Sequence, residues 1–74
     1  MKTSIEGELE KVVYTNEDNA FTVARLKLKG EESPVTIVGT LVSPKAGELL
    51  KVEGEWTEHK AYGRQFKIDM VLPM

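Results

Sequence analysis

The sequence predicts an all-β domain whose short, evenly spaced strands close into a small barrel. Three observations carry that expectation. Of the 74 residues, 22 are Val, Ile, Thr or aromatic, the types that suit a pleated, half-buried surface better than a helix. Apolar residues recur with a period of two in several segments. Gly, Pro, Asn and Asp collect in the short stretches between those segments, where turns need them.

The first predicted strand, Ser4 to Thr15, is long. Its phase slips between Leu9 and Val12, and Gly7 marks a bend. In the second, Phe21 to Lys29, Phe21 and Val23 share one parity while Leu26 and Leu28 have the other, which predicts a one-residue bulge near Ala24 or Arg25. The third, Val35 to Val42, turns Val35, Ile37, Gly39 and Leu41 one way. The fourth, Leu49 to Glu58, sets Leu50, Val52, Gly54 and Trp56 against Lys51, Glu53, Glu55 and Thr57. The fifth, Gln65 to Leu72, sets Phe66, Ile68, Met70 and Leu72 against Lys67 and Asp69. Tyr14, Phe21, Trp56 and Phe66 follow inward or near-inward parity and are expected in the core.

Asn16 to Asn19, Gly30 to Pro34 and His59 to Arg64 read as hairpin loops. Ser43-Pro44-Lys45-Ala46-Gly47 has room for a single helical turn between strands three and four. A three-strand meander, a short crossover and a final hairpin make a five-stranded Greek-key barrel of OB type, with an SH3-like barrel as the rival.

Composition narrows the chemistry. The net charge of −2 and pI near 5.4 have the wrong sign for binding phosphate backbone by bulk charge. Absence of cysteine excludes disulfides and thiolate metal sites and fits a reducing cytoplasm. No apolar run approaches the roughly 20 residues of a membrane span, and the acidic start does not read as a signal peptide, so a soluble cytoplasmic domain without a membrane partner is expected. One His, no Asp-rich loop and no GxxxxGK[ST] or GxGxxG motif leave no metal, catalytic or nucleotide constellation. Glu8 and Glu10, or Glu53 and Glu55, read as solvated strand faces.

The distribution of charge says more than its sum. Arg25, Lys27 and Lys29 form one stretch without acids, and Lys60, Arg64 and Lys67 form another. In an OB barrel both border the face on which oligonucleotides lie, where single strands need a cationic groove and aromatic platforms. Tyr62, between Lys60 and Arg64, is the best placed aromatic. The same runs also suit half-exposed strands that use lysine to discourage stray pairing, and Tyr62 also suits a loop-packing role.

Those residues carry a family likeness. Val13 to Val23, Val38-Gly39, Gly54-Glu55-Trp56 and above all His59-Lys60-Ala61-Tyr62-Gly63-Arg64-Gln65-Phe66 resemble the N-terminal OB domain of bacterial RecD-like DNA helicases, related to the alpha subunit of exodeoxyribonuclease V. Ala20 stands where that pattern commonly has Gly. The resemblance implies a single OB domain over residues 1–74, cut from the N-terminus of a longer enzyme that uses ATP and Mg to move 5′ to 3′ along single-stranded DNA. It implies no catalytic residue and no cofactor within this stretch.

Two roles follow as expectations. In one, Arg25, Lys27, Lys60 and Arg64 contact phosphates of single-stranded DNA and Tyr62 stacks on a base, with a log-log salt slope of about −3. In the other, the domain is a spacer that docks on the remainder of the helicase chain or on a partner protein.

Overall fold

The computed structural model describes residues 2–61 and 63–73. Five strands, β1 (Thr3–Thr15), β2 (Phe21–Leu28), β3 (Val35–Thr40), β4 (Leu49–His59) and β5 (Gly63–Leu72), form a closed barrel in the order β1-β2-β3-β5-β4. All neighbours are antiparallel except β3 and β5, whose short parallel pairing of Thr36–Val38 with Gln65–Lys67 closes the cylinder. This is the expected OB arrangement. Among the described residues there is no helix, and so none long and apolar enough to cross a membrane.

Leu9, Leu26, Ile37, Val52 and Phe66 fill the centre with no exposure to solvent. Closing so small a barrel forces backbones together, and two glycines on either side of Ile68 permit it. A Cβ on Gly54 would collide with the Lys67 carbonyl, and a Cβ on Gly39, whose φ is 151°, would lie 2.7 Å from the Ile68 Cβ. Any side chain at either place would hold β3 or β4 off β5.

The predicted bulge in β2 is not there. Thr22, Ala24, Leu26 and Leu28 point inward without interruption, and the β2–β3 register is unbroken from Phe21 to Leu26. The extra residues are both in β1, where the register against β2 slips twice: at Glu10, inside the Leu9–Val12 stretch where a slip is expected, and at Val13. The Leu26/Leu28 phase therefore governs the whole strand, and the position next to the first loop is filled by Thr22, not by Phe21. Thr22 can be buried because its hydroxyl donates to the Ala20 carbonyl at 3.1 Å. Phe21 and Tyr14, expected in the core, lie outside it at 42% and 52% exposure. Trp56 is half-buried and Phe66 fully buried, as their parity implies.

A further slip opposite Glu53 and Gly54 leaves Asp69 as the extra residue of β5. Beyond it the strand's parity inverts, so Met70, expected inward, is exposed.

β3 stops at Thr40, two residues before the expected end, and residues 41–48 return the chain to β4. The single turn expected there exists at Ala46–Gly47, but it is not helical. Its polar groups go elsewhere: Gly47 N–H donates to the Leu9 carbonyl at 2.7 Å, and Leu9 N–H donates to the Glu48 carbonyl at 2.7 Å. These bonds extend the β1–β4 ladder by one step and compete with helix formation.

Candidate nucleic-acid interface

The hairpin between β1 and β2 sets the phase of the candidate site. Asn16 N–H donates to the Phe21 carbonyl at 2.8 Å, Asn16 Oδ1 accepts from Asp18 N–H, and Asn19 Oδ1 accepts from Phe21 N–H. Side-chain amides thus replace backbone partners in the turn. Ala20 completes it at φ 61°, the left-handed region that a Cβ disfavours. Leaving this turn, Phe21, Val23, Arg25 and Lys27 all project from the outer face of β2.

The neighbouring strands extend that face. Arg25 is the register partner of Thr36 on β3, and Thr36 is the partner of Gln65 on β5. Two strand spacings, about 10 Å, therefore separate the Arg25 and Gln65 backbones. Tyr14 on β1 lies opposite Val23, and the bulged Val13 beside it is also exposed. These residues line a groove of about 490 Å³ formed by Val13, Tyr14, Val23, Arg25, Thr36 and Gln65. No acidic residue lines it. It offers an aromatic face, aliphatic walls, a hydroxyl, an amide and a guanidinium, which together suit a nucleobase and its phosphate.

The residues singled out from sequence are distributed unevenly around this groove. Arg25 lines it. Lys27 lies beyond it, opposite Glu8 in register, in a separate mixed-charge cleft with Glu6 and Lys29. Lys60 is exposed in the β4–β5 turn, where Ala61 N–H donates to His59 Nδ1 at 3.1 Å. Arg64 is exposed at the start of β5, one residue before Gln65, with its Cζ 3.8 Å from the centroid of the Trp56 ring. Tyr62 is outside the described residues. Of the second stretch, Lys67 projects from the same β2–β3–β5 face as Arg25, whereas Arg64 has the opposite parity and turns onto Trp56; Lys27, on the Arg25 face, meets an acidic neighbour.

Tyr14, Phe21 and Val23 were the residues that sequence reasoning missed as surface groups. The signal was present: carrying the Leu26/Leu28 parity back along β2 puts Phe21, Val23, Arg25 and Lys27 on one face. Thr36 lies beside Arg25 through the β2–β3 hairpin, whereas Gln65 carried no signal of its own, because only the parallel β3–β5 pairing brings it into that row.

The opposite wall has another character. Glu6 and Glu8 project from β1, and Glu53 and Glu55 from β4. Lys2 reports its field: its ammonium pKa is held above the usual lysine range by the hydrogen bond to Asp69, and further by the charges of Asp69, Glu55 and Glu53. Among the described residues no three His, Asp or Glu side chains are placed to share a metal ion.

Comparison with known families agrees with the barrel. Residues 2–72 match the family model described as the OB-fold domain of the ATP-dependent DNA helicase YrrC. No curated protein matches the chain. A match that spans all five strands, on a barrel with the OB strand order, is decisive for the family: the chain belongs to the OB-fold domains of the YrrC type of ATP-dependent DNA helicase.

Proposed function

We propose that this domain holds single-stranded DNA beside the motor of a longer, RecD-like helicase that moves 5′ to 3′. The observation that carries the reading is the acid-free groove between Tyr14, Arg25 and Gln65, set in an otherwise acidic protein. Tyr14 supplies a stacking surface, Arg25 beside it in the groove neutralises a phosphate, and Lys27 on the same strand and Lys60 in the β4–β5 turn add charge for the strand beyond the groove. Phe21, exposed next to Val23 on the same strand, extends the apolar platform. ATP and Mg belong to the motor, for which this chain has no phosphate loop. Work on DNA of this kind belongs in the cytoplasm.

Affinity of the isolated domain is low because its net charge opposes the ligand. Three or four phosphate contacts on a single strand give a log-log salt slope of about −2 to −3. Titration of the domain with a labelled oligonucleotide at low salt tests the reading. Binding that weakens with that slope supports it; no binding at high micromolar protein, or binding indifferent to salt, refutes it.

One observation favours a second role as a docking module. Beside the β1–β2 hairpin Val42 is 84% exposed, and it shares with the exposed Val71 a small apolar cleft that reaches Leu41 and Leu50. Such a patch suits contact with another part of the helicase. Salt-insensitive association that Val42→Asp abolishes would assign it.

A further inference from the structure

Arg64, Phe66 and Ile68 share one parity on β5, and Phe66 and Ile68 enter the core. Arg64 is therefore the first residue of an inward-facing row, but it stands at the barrel mouth, where the core has ended. Its side chain turns onto Trp56, with Cζ 3.8 Å from the ring centroid, the spacing of stacked planes. Trp56 in turn meets Phe66 edge to face, with centroids 5.0 Å apart and planes at 75°. A ladder of Phe66, Trp56 and Arg64 runs from the core to solvent.

An arginine that only neutralises phosphate gains nothing from being fixed in place over an indole. A guanidinium over one aromatic ring and exposed to solvent offers the plane on which unpaired bases stack. Its chain neighbour Gln65 lines the Tyr14–Arg25 groove on the outer face, so the barrel mouth that Arg64 occupies adjoins one end of that groove. We propose that Arg64, held by Trp56, is a stacking seat for an unpaired nucleobase, and that Trp56 is its positioning residue. This rests on the single-strand reading above and adds to it a second base contact.

Because stacking needs the plane and neutralisation needs only the charge, Arg64→Lys separates the two. The substitution should weaken oligonucleotide binding roughly tenfold while leaving the salt slope unchanged. Trp56 is the only tryptophan, so its emission reads the site directly. An oligonucleotide should quench it in the wild-type domain, and a base-free deoxyribose phosphate polymer at equal charge should not.

Wild-type affinity in Arg64→Lys, or equal quenching by both polymers, overturns the proposal. If that happens while Arg25→Ala still loses binding, the single-strand reading survives without it. Absence of any binding by the wild type overturns both. Should Arg64→Lys fail to fold, the paired quenching measurement on the wild type decides alone.

Discussion

Outward residues on β2, β3 and the start of β5 include Phe21, Val23, Arg25, Lys27, Thr36, Gln65 and Lys67; those on the first half of β1 and on β4 include Glu6, Glu8, Lys51, Glu53 and Glu55. Both walls hang on the same core and obey the same alternation, yet one is apolar and cationic and the other predominantly acidic. A net charge of −2 describes neither. What a ligand meets depends on which strands the barrel makes adjacent, and β3 lying against β5 brings Lys67 onto the same face as Arg25, far from it in sequence. On the single-strand proposal the acidic wall has a complementary effect: it would repel a polyanion from the remaining surface and leave the groove as the favourable approach.

The most disruptive test removes what both walls share. Phe66→Ala empties the centre of a barrel with little redundancy and should cost about 3 to 5 kcal/mol, seen as loss of the cooperative melt and of any difference between the walls. Next, Arg25→Glu places a like charge beside the bound phosphates and should cost about 2 to 3 kcal/mol of oligonucleotide affinity without shifting the melt. Tyr14→Ala should cost about 1 to 2 kcal/mol of affinity, measured by the same titration, and far less stability than Phe66→Ala because half of the ring is already in water.

Ala20→Gly sharpens the comparison from the side of stability. It relieves a left-handed φ of 61° in the turn that sets the phase of β2, and should stabilise the domain by about 1 kcal/mol, raising Tm by about 4 to 8 °C. The smallest effect belongs to the acidic wall. Glu6→Gln should change neither stability nor affinity by more than about 0.5 kcal/mol.

Strand positions and barrel type were legible because period-two patterning and turn residues are local signals. Val52, Phe66 and Ile68 fall inside where alternation puts them. Alternation located one slip, between Leu9 and Val12, where Glu10 is the extra residue, but it misassigned the phase break in β2 and did not show the second slip at Val13. The apparent phase break in β2 belonged to a competition between Phe21/Val23 and Leu26/Leu28, which packing resolved in favour of the leucines while Glu10 and Val13 bulged from β1. The β2 phase moved Phe21, and the unseen Val13 slip moved Tyr14, from surface to core, which hid the candidate site. Met70 was misplaced for the same reason, by the Asp69 slip. The extension of the Arg25–Thr36 pair to Gln65 was beyond reach of local patterning, because β3 and β5 are paired only in the closed barrel.

If the two walls differ in their affinity for a single strand, a matched charge change on each will show it. Oligonucleotide affinity should be compared at several salt concentrations for the wild type, Arg25→Gln and Glu6→Gln. Arg25→Gln should weaken binding and reduce the salt slope by about 0.7, and Glu6→Gln should leave both unchanged. Equal responses to the two substitutions, or a slope that neither alters, would contradict the account.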